Sequence, residues 1–250
     1  MSSAAAFIYR HSKGLPEILP DPGRGFVEDV VHALFGFGDP DSSIVRALDV
    51  QFILHADHEQ NCSANVMRSI GSAGRPDSYT ALAGAVGVVY GPIHGGANEA
   101  VQRTLADVGS VENVAAYIDR VKRKEFRLMG VEHPMYRRYD LRAALINQIV
   151  YDVVEVTGTN EQIDIALEIE KVVREDDYFV LRSLNPNVDF YSGLIYQSLG
   201  LPMEMMTVMF AIPRTVGWLA QWKEMLEHQE QTITRPRQIY TGEMEPRHRK

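Results

Sequence analysis

The chain has 250 residues, of which 45% are hydrophobic and 23% charged, enough to fill one large globular domain or a domain with a smaller lobe. A formal net charge of -8 makes nucleic acid and anionic membranes poor partners, so an anionic ligand needs a local cluster of arginines and histidines. The single cysteine, Cys62, excludes an internal disulfide and fits a reducing intracellular compartment.

No apolar run approaches the ~20 residues that a membrane-crossing helix needs. Residues 1–14 have no long apolar centre and do not read as a secretory signal. The expected location is intracellular and cytoplasmic by default. Arg10, His11 and Lys13, with no acid before Glu17, resemble a weak organellar presequence, which leaves mitochondrial and peroxisomal destinations open.

In chain order, the apolar periodicity predicts helices almost throughout. Over residues 46–54, Ala47, Val50, Gln51 and Leu54 share one face at i, i+3, i+4, i+7 spacing. Residues 79–89, rich in Ala and Gly, suit a helix packed closely on another. Residues 161–174 carry a broad apolar face through Ile163, Ala166, Leu167 and Ile169. Pro202 opens a long stretch, 203–226, in which Met206, Met209, Phe210, Pro213 and Gly217 recur at helical spacing. Pro213 is expected to kink that helix or divide it. Turn-forming segments separate these runs, alternating strand patterns are scarce, and residues 243–250 form a polar tail. The expected fold class is all-α.

Four breaks between helices carry unusual polar content. The first is His55-Ala56-Asp57-His58-Glu59, where two histidines three apart suggest a metal or a hydrogen-bonding role; the run is not H-E-x-x-H and lacks a well-spaced third ligand. The second is Gly91-Pro92-Ile93-His94-Gly95-Gly96-Ala97-Asn98-Glu99, which reads locally as a tight helix-to-helix turn or as glycines opening backbone N–H groups to a ligand. The third, Glu132-His133-Pro134-Met135-Tyr136-Arg137-Arg138-Tyr139-Asp140-Leu141-Arg142, reads as a solvated charged helix start or a polyanion site. In the fourth, Pro186-Asn187-Val188-Asp189-Phe190-Tyr191-Ser192-Gly193, local features make Asp189 an N-cap for the next helix.

Taken in series with Phe210-Ala211-Ile212-Pro213-Arg214 and Arg235-Pro236-Arg237-Gln238-Ile239-Tyr240-Thr241-Gly242, these stretches resemble the citrate synthase family. The similarity runs from Tyr9-Arg10-His11-Ser12 to about Gly242. It implies condensation of acetyl-CoA, or a longer acyl-CoA, with oxaloacetate to give citrate or an alkylcitrate plus CoA. Asp189 would be the general base at the acyl-CoA carbon, His94 would stabilise the enol or enolate through the thioester oxygen, and His133 would protonate the oxaloacetate ketone oxygen. Arg142 and Arg214 would pair with the substrate carboxylates, and His55 would add a donor. Arg235 would reach a partner subunit's site, and Arg137 or Arg138 would meet the CoA phosphates. No metal and no cofactor is implied, since the acyl-CoA is a substrate.

The resemblance also implies a large helical domain, here 1–99 with 185–242, into which a smaller helical domain, 100–184, is inserted. Closure of the two would complete the site. Two features depart from the family pattern. Members carry helices ahead of the Tyr9 region, so the chain reads as N-terminally shortened, a homodimer or a partner of a longer homologue. Glu132 replaces a glycine beside the ketone-binding histidine and Pro134 removes a backbone donor there, which points to altered acyl-CoA selectivity, as in 2-methylcitrate or other alkylcitrate synthases. The competing readings are a catalytically impaired paralogue that acts as an interaction partner and, last, a metal enzyme built on His55 and His58.

Overall fold

Backbone N–H groups at a helix start need acceptors, and this sequence supplies them as side chains. Asp41, Asn61, Asp77, Asp140, Asn160, Asp176 and Asn187 each accept a backbone N–H from the first turn of the helix that follows. The computed structural model describes residues 1–36, 38–74, 76–131, 140–228 and 232–242. In these it forms α1 (Ser2–Ser12), α2 (Phe26–Phe35), α3 (Ser42–Ala56), α4 (Cys62–Ser72), α5 (Ser78–Val89) and α6 (Ala97–Val108). There follow α7 (Val114–Lys122), α8 (Leu141–Thr157), α9 (Glu161–Glu175), α10 (Asp177–Val180), α11 (Val188–Ser198) and α12 (Met206–Glu227). Among the described residues there is no strand, only an isolated bridge between Val131 and Pro186. The fold is all-α, as the periodicity predicts. No helix among the described residues is long and apolar enough to cross a membrane.

Apolar burial holds the helices together in two clusters. The larger joins α1, α2, α3, α6, α8, α9 and α11 around Leu48, Leu105, Ile146, Ile169 and Phe190. The smaller gathers Met67, Ala81, Ala85, Phe210 and Trp218 where α4, α5 and α12 meet. The first half of α12 contributes Met206, Met209 and Ile212 to the larger cluster, so this helix spans both. Within the segment 100–184, α8 packs on α3 and α11, and α9 packs on α6.

Pro213 does not divide the last helix, which runs unbroken from Met206 to Glu227. A proline lacks the N–H that would bond the carbonyl four residues back, here that of Met209. The Tyr196 hydroxyl on α11 donates to this Met209 carbonyl at 3.2 Å and fills the gap. The helix therefore keeps its path at the expense of a bond borrowed from its neighbour.

Close helix crossing sets the path of α12 further along. A Cβ on Gly217 would stand 2.0 Å from the Ala56 carbonyl oxygen at the end of α3, a backbone atom with little room to yield. Gly217→Ala should therefore destabilise the chain by about 1–3 kcal/mol, the range for overpacking a tight core. Urea unfolding followed by circular dichroism measures this; an unchanged midpoint would mean that the crossing is looser than the contact implies.

Candidate active site

Four elements converge on one cleft of about 330 Å³. The turn before α6 brings His94, the start of α8 brings Arg142, the first turn of α11 brings Asp189, and α12 brings Phe210 and Arg214. Residues separated by up to 120 positions, from His94 to Arg214, thus meet in space.

Arg214 is almost wholly enclosed, at 2% exposure. Its Nε donates to the His55 carbonyl at 2.6 Å, and its guanidinium lies 4.5 Å from the Phe210 ring centre, a cation–π contact. Burial, with the like charge of Arg142 nearby, pulls its pKa down to about 10, which still leaves it charged at neutral pH. Two guanidiniums in one cleft repel each other, and an anion placed between them relieves that repulsion.

Arg142 is set by Asp140. The Asp140 carboxylate accepts from Arg142 Nε and NH2, both at 3.0 Å, and from the Val188 backbone N–H at 3.2 Å. Burial acts to raise the Asp140 carboxyl, but the Arg142 hydrogen bonds and charge outweigh it and hold it below the usual range. One buried carboxylate thereby fixes an arginine and the first residue of α11 together. That bidentate geometry is the strong form of the pair.

Asn187, not Asp189, caps α11. Its side-chain oxygen accepts from the backbone N–H groups of Asp189 at 2.9 Å and Phe190 at 3.2 Å. The Asp189 carboxylate, freed from the capping that local features assigned to it, lines the cleft. Burial raises its pKa above the ordinary 3.8; Arg142 and Arg214 pull it back and Asp140 pushes it up. The result is a carboxylate more basic than a surface aspartate and still close to two cations.

His94 Nε2 lies 2.8 Å from the Ser63 hydroxyl, which accepts from Trp218 Nε1 at 3.0 Å and donates to Asn61 Oδ1 at 2.8 Å. Asn61 Oδ1 already accepts the Ala64 N–H as the cap of α4. When the Ser63 proton turns from Asn61 Oδ1 to His94 Nε2, the ring proton sits on Nδ1, which is then a donor. Burial and the Arg214 charge lower the His94 pKa, which keeps the imidazole neutral. The two glycines after it do not present open N–H groups, because Gly95 donates to Val89 and Gly96 to Gly91 within the turn.

The structure places His55 beneath the cleft, at 1% exposure, with Nδ1 donating to the Gln51 carbonyl at 2.8 Å. Burial drives its pKa down to about 3, with Arg214 repulsion adding to this. Its ring meets Phe210 edge-on at 5.4 Å, and Phe210 meets His94 edge-on at 6.2 Å. Among the described residues no three His, Cys, Asp or Glu side chains converge as a metal site requires. Arg235 stands in the exposed stretch 232–242 and does not line this cleft. His133, Arg137 and Arg138, with Glu132 and Pro134, lie outside the described residues.

The family model described as citrate synthase, C-terminal domain, matches residues 1–237. This chain belongs to the citrate synthase family. A peroxisomal citrate synthase of Dictyostelium discoideum is 49% identical over 247 residues, 97% of this chain and 50% of that protein. A glyoxysomal citrate synthase of Cucurbita maxima is 44% identical over 243 residues, 96% of this chain and 47% of its own length. The chain thus spans about half the length of the curated relatives it matches. Among solved structures, the citrate synthase of Pyrobaculum aerophilum superposes with a TM-score of 0.90 at 34% identity, over 100% of this chain and 61% of that one. The Thermoplasma acidophilum citrate synthase, solved as a ternary complex with carboxymethyl coenzyme A and oxaloacetate, gives a TM-score of 0.87 at 29% identity, over 100% of this chain and 65% of that one.

Asn61, Ser63 and Trp218 hold His94 in this member of the citrate synthase family, and sequence reasoning did not single them out for that role. Asn61 before an apolar run carries an ordinary capping signal, and nothing local ties Ser63 to a histidine 31 positions on. Arg127, Met129 and His58 also line the cleft, the last beside His55 in the first polar break.

The raised Asp189 pKa has a stability consequence of definite sign. Its protonated form is favoured in the fold, so its stabilising contribution is present below the ordinary aspartate value and is lost as pH rises through the raised one. Asp189→Asn should therefore melt above the unsubstituted chain at pH 7, with the gap closing as pH falls toward 3.8, the ordinary aspartate value. Differential scanning calorimetry across that range tests it; a lower Tm at pH 7 would contradict the buried, uncompensated carboxylate.

Proposed function

We propose that the chain carries the condensing site of a citrate synthase, joining an acyl-CoA to oxaloacetate to give citrate or an alkylcitrate plus CoA. The observation that carries this reading is a basic carboxylate, Asp189, sharing one cleft with a neutral imidazole, His94, and with Arg142 and Arg214. The ternary complex of the Thermoplasma relative with carboxymethyl coenzyme A and oxaloacetate supports the same substrate pair.

In this reading Asp189 takes a proton from the carbon beside the thioester, and the electron pair moves onto the thioester oxygen. That carbon is a weak acid, so the developing charge needs a donor, which His94 supplies through Nδ1–H while Ser63 holds its other nitrogen. The enol carbon then attacks the ketone carbon of oxaloacetate. By family resemblance, His133 delivers the proton to the new alkoxide. Water cleaves the thioester and releases CoA. Arg142 and Arg214 hold the oxaloacetate carboxylates, and their fixed guanidinium planes orient the ketone. No metal or redox cofactor takes part in this scheme.

The finer features belong to the same proposal. Residues 100–184 form the smaller lobe, and its closure over the large domain excludes water from the enol. Arg137 or Arg138 meets the CoA phosphates, Arg235 reaches a partner subunit's site, and the working unit is a dimer. The peroxisomal and glyoxysomal relatives favour an organellar location. The cleft wall leaves the acyl chain length to be read by assay with acetyl-, propionyl- and hexanoyl-CoA, compared as kcat/KM.

The direct test is CoA release from acetyl-CoA and oxaloacetate. Asp189→Asn should lower kcat by roughly 10²–10⁴-fold, the scale of a lost general base, while oxaloacetate still binds. Arg214→Ala should instead weaken oxaloacetate binding by roughly 2–5 kcal/mol, read by calorimetry on protein of native helix content. Full turnover without the Asp189 carboxylate would remove the assignment.

A further inference from the structure

Behind the cleft, a second set of polar groups is sealed from solvent. Asn98, on the first turn of α6, donates through Nδ2 to Ser192 Oγ on α11 at 2.5 Å. Asn98 is 1% exposed and Ser192 0%, so neither group has water as an alternative partner. Their positions along the chain matter. Asn98 follows His94 by four residues, across the turn that opens α6, and Ser192 follows Asp189 by three, about one helical turn on within α11.

The contact leaves no room for a side chain beside Ser192. Gly193, next to Ser192, turns a bare Cα toward α6; a Cβ there would fall 2.3 Å from Gln102 Nε2 and 2.5 Å from Asn98 Oδ1. A third helix ties into the same point. Gln51 on α3 donates through Nε2 to the Ser192 carbonyl at 3.3 Å, while its own carbonyl holds His55. None of these side chains lines the cleft.

We propose that Asn98 is a positioning residue whose hydrogen bond to Ser192, with Gly193 seated against it, sets the separation between His94 and Asp189. This inference rests on the condensation reading above, in which proton removal at one group and hydrogen-bond donation at the other act on the same three atoms of the thioester. Reactions of that kind are sensitive to placement, and a shift of about 1 Å can lower the rate by roughly 10²-fold. Arg142 and Arg214 stand on other helices, α8 and α12, so oxaloacetate binding is expected to change less than kcat.

The test is a double-mutant cycle on the full chain with Asn98→Ala, Ser192→Ala and the pair, reading kcat and the oxaloacetate Kd separately. Each single substitution is expected to lower kcat by about 10–100-fold with Kd held within about twofold, the split that marks loss at the transition state. The pair should fall no further than the worse single, because both remove one bond. Gly193→Ala keeps every polar group but wedges α11 from α6, and should show the same split if Asn98→Ala fails to fold. Unchanged kcat in folded single variants, or a parallel loss of kcat and oxaloacetate affinity, overturns the inference. Failure of the condensation reading shows differently, as full turnover by Asp189→Asn.

Discussion

A single buried cation organises this molecule. Arg214 sits on the helix that joins the two apolar clusters, and its guanidinium is held by the His55 carbonyl and the face of Phe210 rather than by bulk water. Enclosing a permanent charge is unfavourable unless neighbours respond to it. Here they respond in kind: His55 and His94 are kept neutral, and Asp57 and Asp189 favour the charged guanidinium from a distance. Much of the site's electrostatics follows from that one placement.

The same placement explains why the cleft suits an anion and why its groups are poised as they are. Arg142, clamped by Asp140, adds a second cation whose repulsion with Arg214 a negatively charged ligand would further relieve. Between them Asp189 feels two opposed effects, desolvation raising its pKa and the arginines lowering it. Once ionised, such a carboxylate is a better proton acceptor than one on the surface. Holding this carboxylate in the cleft costs stability, and the proposed reaction would use the basicity it gains.

Much of the fold was legible in the residues, for a local reason. Apolar spacing marks α3, α5, α9 and α12 because each helix turns one face to the core, and that face repeats every 3.6 residues. The motif series likewise pointed to His94, Asp189, Arg142 and Arg214, which the fold gathers into one cleft. What stayed hidden depends on distant partners. Asp189 looked like a cap until Asn187 proved to accept the N–H groups of that turn. Gly95 and Gly96 read locally as a tight turn or as open to a ligand, and the turn is what forms, with both N–H groups used inside it. The Trp218 contact with Ser63 joins positions 155 apart, and no period or composition encodes it.

The bond from Tyr196 to the Met209 carbonyl carries a mechanical meaning. Proline left a vacancy in the ladder of α12, and the occupant came from another helix, so the two segments share one rung. Local opening of α11 would bare a carbonyl in the middle of α12, and fraying of α12 would strand a buried phenol. The pair should accordingly exchange amide hydrogens as one cooperative block, slow to open and quick to reclose. A residue usually regarded as a helix breaker has become the reason that two helices yield together.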